Sequence, residues 1–309
     1  MADYAYSGFT HDPSGSLPTP EPPAGFTARH GPDQGIVQPF KTHYCPGCEH
    51  GTLTRAIGNE IVRRGELDRS IMIVSVGCSV LAYDYLDIDA IQAAHGRSPA
   101  VATGIKRLLP DHTIFMVQGD GDAAAIGLSE TLQAAHRGEA ITIFMVNNGI
   151  YGMTGGQIAP TTPIGSKTST SPEGRTIDLH GHPVDTCALV SQTPGAAYVR
   201  RASITIAPPR KEVDQETPRG EARGFIARPA IKAEKAVREA FEVQERGGFA
   251  FVEFISTCNI NWGMKVLESK VHAHEVMLPA FPVGLFVDRL GVSGKTVDPR
   301  PATHPREEG

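Results

Sequence analysis

The chain has 309 residues, enough for one large α/β domain with extensions, and a formal net charge of −5 from 29 basic and 34 acidic side chains that are interspersed along it. No basic stripe or aromatic-plus-arginine module points to nucleic acid, and no apolar run approaches the ~20 residues a membrane helix needs. The start, Met1–Tyr6, carries neither the basic residues nor the apolar stretch of a signal peptide, so a soluble, cytoplasmic protein is expected.

Residues 1–40 are rich in Pro, Gly, Ser and Asp and poor in apolar periodicity, so they read as an arm that cannot bury enough surface to fold alone. A single domain is expected over 41–290. It opens on Cys45-Pro46-Gly47-Cys48 ahead of a helix over Thr52–Arg64. A strand over Ser70–Val76 runs into Val76-Gly77-Cys78-Ser79, and a helix follows over Ala100–Leu109. The apolar run Thr113–Val117 leads into Gly119-Asp120-Gly121-Asp122. After a helix over Ala123–His136, stopped by Gly138, the run Ile141–Val146 leads into Asn147-Asn148-Gly149. Both runs are short, rich in β-branched residues and ended by turn formers, the pattern of buried parallel strands. A Gly- and Thr-rich loop over Gly152–Asp178 precedes a helix near Asp185–Gln192 and a strand over Ala197–Ala202. Pro208–Gly224 reads as a charged surface loop, and helix Ala230–Arg246 with strand Phe249–Ile255 closes the domain. Residues 291–309 form a tail of the same composition as the start. Strands alternating with helices predict an α/β fold with a doubly wound, mainly parallel sheet.

In such a fold Asp120 and Asn148 sit at the carboxyl ends of two strands, where open sheets place their ligands. Two oxygen-bearing side chains there suit a hard cation such as Mg²⁺, and the helix start at Gly121–Asp122 offers free N–H groups to an anion. A diphosphate held through Mg²⁺ fits that pairing. The bland alternative for Gly-Asp-Gly taken alone is a turn chosen for its backbone chemistry.

Five cysteines, an odd number, argue against a disulfide framework. Cys187 lies among Ala188, Leu189 and Val190 on an expected helix and reads as a buried thiol. Cys45, Cys48, Cys78 and Cys258 all lie at strand ends or helix starts and could form one Cys₄ site. On spacing alone iron–sulfur and zinc both remain open, and Cys-x-x-Cys before a helix is also compatible with a redox dithiol.

The Gly-Asp-Gly sequence, a gap of about 25 residues and then Asn-Asn resembles the thiamine diphosphate motif of thiamine-dependent enzymes. The string Asn147-Asn148-Gly149-Ile150-Tyr151-Gly152-Met153-Thr154-Gly155-Gly156-Gln157 resembles one branch, the β subunits of 2-oxoacid:ferredoxin oxidoreductases of the 2-oxoglutarate or 2-ketoisovalerate type. The likeness runs from about Lys41 to Phe286. It implies a 4Fe–4S cluster on Cys45, Cys48, Cys78 and Cys258. It places Val76, Gly77, Cys78 and Ser79 along the thiamine ring, and His95, with Gly96 and Arg97, at the diphosphate. It implies Asp120 and Asn148 as Mg²⁺ side-chain ligands, with the Ile150 carbonyl as a third. Gly121 and Asp122 then give N–H groups to phosphate oxygens, and Gly152, Met153 and Thr154 continue the cradle. The chain departs from some relatives at Gly155, in a segment where they carry a lysine that bears on substrate choice.

The activity so implied is oxidative decarboxylation of a 2-oxoacid with coenzyme A to acyl-CoA and carbon dioxide, electrons leaving through the cluster to ferredoxin. No acidic residue claims the role of the catalytic glutamate, which this family takes from a partner α subunit, with or without further γ and δ subunits. The runner-up is a non-redox thiamine-dependent decarboxylase or synthase subunit whose cysteines hold structural zinc. A third reading is an electron-transfer subunit with a degenerate thiamine site, against which the intact Asp120 and Asn148 argue.

Overall fold

The computed structural model describes residues 42–205 and 233–299. The Pro-rich arm over 1–40, the expected loop Pro208–Gly224 and the end of the tail lie outside these residues.

Helix α1 (His50–Arg64) precedes strand β1 (Ser70–Val74), and a short edge strand β2 (Asp89–Gln92) precedes α2 (Ser98–Leu108). Then come β3 (Thr113–Gly119), α3 (Leu128–Arg137) and β4 (Thr142–Asn147). A two-strand hairpin, β5 (Ile150–Tyr151) with β6 (Gln157–Ile158), opens the long loop, which also carries the single turn α4 (Ile177–His180). Helix α5 (Thr186–Ser191), β7 (Ala196–Ser203), a helix α6 over 233–245 and β8 (Phe249–Ile255) follow. The described part ends with α7 (Val266–His272), which runs on through a wide turn to Ala280, and β9 (Gly284–Asp288).

Seven strands form one sheet in the order β2-β1-β3-β4-β8-β7-β9, parallel throughout except that β9 runs antiparallel to β7. Strands β1, β4 and β8 are buried at every position, which explains their mainly apolar sequences, broken within β8 by Glu253. Alternate side chains divide between two cores. Met72, Phe115, Phe144 and Val252 pack against α1 and α6 on one face. Ile73, Met116, Met145 and Phe251 pack against α2, α3 and α5 on the other. Helices on both faces make this the doubly wound sheet expected. The connection from β1 goes outward to β2 while that from β3 goes the other way to β4. The crevice between the carboxyl ends of β1 and β3 is therefore the switch point of the sheet.

Several elements differ from expectation. β2 is exposed at all four positions and has no apolar alternation to betray it. The helix expected over Ala123–His136 is broken. A wide π-type turn spans Asp122–Ile126, and α3 starts only after Gly127. β1 stops at Val74, so Ser75–Gly77 form a bend and Cys78 opens a 3-10 turn over Cys78–Asp84. Beyond β8 the chain builds α7 over a small core of Ile255, Ala273, Met277 and Phe281. Past β9, Val297 bridges Asp288. No helix among the described residues is long and apolar enough to cross a membrane.

Candidate active site

Asp120 follows β3 directly and is 3% exposed. Its Oδ1 accepts the Gly121 N–H at 2.9 Å. Its Oδ2 accepts the Gly149 N–H at 2.8 Å and the Thr161 hydroxyl at 2.5 Å. One carboxylate thus ties the end of β3 to the turn after β4 and to the long loop. Burial nonetheless pushes its pKa up to about 6, above the usual carboxylate range, and no Lys or Arg pairs with it among the described residues. Asn148 is buried beside it, its Oδ1 facing the Ile150 N–H at 3.3 Å. Asn147 Oδ1 also accepts the Gly149 N–H, at 3.1 Å, while its amide nitrogen turns into the sheet. It donates to Glu253 Oε1 at 2.6 Å, and Arg201 Nε donates to Glu253 Oε2 at 2.8 Å. Of the two asparagines, Asn147 joins the turn at Gly149 to the sheet, and the Asn148 amide oxygen is turned to the backbone of Ile150.

Asp122 spends its side chain on the neighbouring loop. It accepts the Gly96 N–H at 2.8 Å, is bonded to the Gln118 amide, and lies against His95 Nδ1. The Gly121 N–H, expected at a phosphate, is instead taken by Asp120 Oδ1, and the Asp122 side chain serves to fix His95. Gly96 can approach so closely because it lacks a Cβ: one there would lie 2.7 Å from the backbone of Ile126 and Gly127, at a φ of +78°. Gly96→Ala should therefore destabilise the protein by about 1–3 kcal/mol through overpacking, read as a lower denaturation midpoint with unchanged slope.

The loop after β4 next reaches the cysteines. A Cβ built on Gly152 would stand 3.3 Å from Cys258 Sγ and 3.5 Å from Cys78 Sγ, so both sulfurs flank one point on this glycine. Asn261 Nδ2 donates to the Gly152 carbonyl at 2.8 Å and to Cys258 Sγ at 3.3 Å. Cys45 and Cys48 form a tight turn closed by the Cys48 N–H on the Cys45 carbonyl at 2.9 Å. Burial pushes the Cys78 thiol up to about 12, with repulsion from Cys48, Cys258 and Cys45 adding to it. Cys48 and Cys258 are raised as well, mainly by burial. Cys48, Cys258 and Cys45 all act on the Cys78 thiol, so the four are neighbours, and Cys78 releases its proton readily only to a positive centre. Among the described residues no three His, Cys, Asp or Glu side chains already converge on a single ion position. Cys187 is fully buried on α5 and lies apart from the four.

The remaining expected residues line the same face. Val76 and Gly77 are half-buried in the bend after β1. Ser79 is buried, and its hydroxyl has no hydrogen-bond partner among the described residues. Ile150 lies in the hairpin opposite Ile158. Met153 and Thr154 are exposed at the hairpin tip, Thr154 bonded to Gln157 Oε1 at 2.6 Å.

Sequence reasoning missed four contributors. Thr161 reaches Asp120 from the middle of the long loop. Arg175 holds that loop closed by donating to the carbonyls of Ala159, Pro160, Thr162, His180, Gly181 and His182 at 3.0 Å. His50, two residues past Cys48, touches its sulfur at 3.1 Å. Burial holds its pKa down to about 4 although Asp120 and Glu49 pull it upward, so it is neutral at pH 7. Asn261 is the fourth. Only His50 and Asn261 carry a sequence signal, their closeness to Cys48 and Cys258.

Residues 75–217 match the family model for the thiamine pyrophosphate enzyme C-terminal TPP binding domain. The chain is 43% identical over 257 residues to ketoisovalerate oxidoreductase subunit VorA of Methanothermobacter marburgensis, covering 83% of this chain and 50% of the relative. It spans half the length of the ketoisovalerate relatives it matches. It is 34% identical over 234 residues to 2-oxoglutarate synthase subunit KorB of Archaeoglobus fulgidus, covering 76% of each chain. Among solved structures it is similar to a 2-oxoglutarate:ferredoxin oxidoreductase from Magnetococcus marinus with 2-oxoglutarate, coenzyme A and succinyl-CoA bound. That likeness has a TM-score of 0.57 and 26% identity over 71% of this chain and 65% of that one. With a thiamine pyrophosphate-binding domain and relatives of this kind, the chain belongs to the family of 2-oxoacid:ferredoxin oxidoreductase subunits that includes VorA and KorB.

Proposed function

We propose that this chain is the thiamine diphosphate- and 4Fe–4S-binding β subunit of a 2-oxoacid:ferredoxin oxidoreductase. It would act with an α subunit on a 2-oxoacid and coenzyme A and pass electrons to ferredoxin. The observation that carries this is adjacency. Asp120 accepts the N–H of Gly149, and Gly152, three residues on in the same loop, is flanked by the sulfurs of Cys78 and Cys258. A cation–diphosphate site and a four-thiol site share one short segment, the arrangement a decarboxylation coupled to single-electron exit requires.

The residues fit these groups. A buried carboxylate raised to about 6 with no cationic side chain paired to it suits Mg²⁺. The Ser79 hydroxyl, without a partner among the described residues, suits a polar ring atom, and neighbouring thiols that do not converge three to a single ion position suit a cluster better than one ion. When bound, thiamine diphosphate supplies the carbon centre for decarboxylation, and the cluster supplies the electron exit. Asp120, Asn148 and the Ile150 carbonyl would hold the metal, with Thr161 and the Gly149 N–H keeping the carboxylate turned toward it. The Asp122 N–H would face the phosphates, and the Asp122 side chain would keep His95 at their edge. His50, neutral at pH 7, would add no charge between the two sites.

The test is anaerobic purification with the subunits the chain assembles with. Broad absorbance near 400 nm, bleached by 2-oxoacid plus coenzyme A, is expected. Colourless protein holding zinc would replace this reading with the non-redox one, and iron without substrate bleaching would leave only electron transfer. Cysteine variants sharpen it. Cys45→Ser, Cys48→Ser, Cys78→Ser and Cys258→Ser should each lose stoichiometric iron while Cys187→Ala keeps it. Iron lost from the Cys187 variant and kept in the Cys258 variant would overturn the choice of ligands.

A further inference from the structure

Between the two cysteine-bearing ends of the chain lies a buried ion pair that the proposed reaction does not use. Glu49 directly follows Cys48 and is 6% exposed. Its Oε2 accepts the Ser256 hydroxyl at 3.2 Å and the Thr257 N–H at 3.1 Å, and its Oε1 is paired with Lys270 Nζ from α7. Lys270 Nζ also reaches the Gly47 carbonyl at 3.4 Å, as does the Thr257 hydroxyl at the same distance. Gly47 lies inside the Cys45–Cys48 turn, and Thr257 immediately precedes Cys258. Three segments remote in sequence are thus tied at one knot. Both charges lie beside the Cys45–Cys48 turn, the carboxylate on the residue next to Cys48 and the ammonium within reach of the Gly47 carbonyl inside the turn.

We propose that the Glu49–Lys270 pair is a positioning device that holds the Cys45–Cys48 turn against the Cys258 segment and whose balanced charges set the reduction potential of the iron–sulfur cluster. The proposal rests on the four-cysteine reading above. A buried pair is a weak source of stability because desolvating both charges offsets most of their attraction. Its stronger effect falls on neighbours. Reduction adds one electron to a cluster in a low-dielectric setting, so an unbalanced carboxylate nearby disfavours the reduced form and an unbalanced ammonium favours it. Side chains that merely filled space would not act with opposite sign.

The experiment compares the wild type, Lys270→Met, Glu49→Gln, the double variant and Lys270→Arg. Each is purified anaerobically in its complex, assayed for iron, and titrated at one pH with the reduced cluster followed by paramagnetic resonance. The potential should fall below wild type in Lys270→Met, rise above it in Glu49→Gln, and return toward it in both the double variant and Lys270→Arg. If a single variant loses iron, recovery in the double variant and in Lys270→Arg supports the proposal, and loss in both overturns it. Equal potentials, or single-variant shifts of the same sign, would also overturn it while leaving the cluster reading standing. A wild-type complex without iron would overturn the cluster reading, and this proposal with it.

Discussion

Replacing Asp120 with alanine should abolish thiamine diphosphate binding while leaving the fold in place. The side chain is the only one in the described structure that joins the ends of β3 and β4 and the long loop at a single point, through Gly121, Gly149 and Thr161. Its removal takes an acceptor from Gly121 and Thr161, at about 1–3 kcal/mol for a buried group, whereas the Gly149 N–H keeps Asn147 Oδ1 at 3.1 Å. Relief of a carboxylate that burial already disfavours works against that loss. Both apolar cores lie along the strands and away from this turn, so the sheet should survive. Binding should not. A diphosphate brought to the Gly121–Asp122 backbone needs a cation between it and the protein, and alanine offers the cation nothing. Titration calorimetry with Mg²⁺ present should show affinity lower by about 10²-fold or more, since even outer-shell changes at metal sites cost up to that. Asp120→Asn keeps an acceptor for Thr161 and Gly149 and loses the charge, so it separates the hydrogen-bonded turn from the metal. Near-normal affinity in either variant would show that the metal site lies elsewhere.

Asp120, Asn148, Cys78 and Cys258 could be picked out of the sequence because each sits where an apolar run stops, and a strand's end is a local event; Cys45 and Cys48 stood out by their Cys-x-x-Cys spacing ahead of a helix. What could not be read was made by contacts between distant segments. The break at Gly127 exists because the His95–Gly96 loop presses on it, and nothing within Ala123–His136 announces that loop. β2 is an exposed edge, so it lacks the alternation that burial on one face imposes. Asn147 and Asn148 are identical in type and adjacent. Only the end of β4 between them, which leaves Asn147 bonded to Glu253 and the Asn148 amide turned to the backbone of Ile150, separates their roles. Thr161, Arg175 and Lys270 carry no motif; their partners are Asp120, backbone carbonyls of a closed loop, and Glu49. Such residues become functional only when the sheet has brought their partners within reach.

The isolated chain should show no turnover on a 2-oxoacid even with thiamine diphosphate, Mg²⁺ and iron–sulfur restored. The proposed chemistry needs a carboxylate free to act beside the cofactor, and each buried acid around the site is already committed. Asp122 is held by His95, Gly96 and Gln118, Glu253 by Arg201 and Asn147, and Glu49 by Lys270, Ser256 and Thr257. Asp120 is assigned to the metal. The proposed cofactor face is also open on one side: Met153 is 51% exposed at the hairpin tip and Cys45 is exposed on the thiol side. An open site lets water compete at the reacting carbon and weakens every electrostatic contact within it. The ketoisovalerate relatives carry as much chain again outside the matched portion, so in the proposed complex the covering surface and the missing carboxylate belong to polypeptide beyond this one. The assay is 2-oxoacid-dependent reduction of a viologen dye by the reconstituted chain, first alone and then with its partner subunit added. Activity only in the second case is expected. Robust turnover by the chain alone would mean that one of the committed acids is released to do the chemistry, and Glu49, next to Cys48 and tied by a single lysine, would be the first to examine.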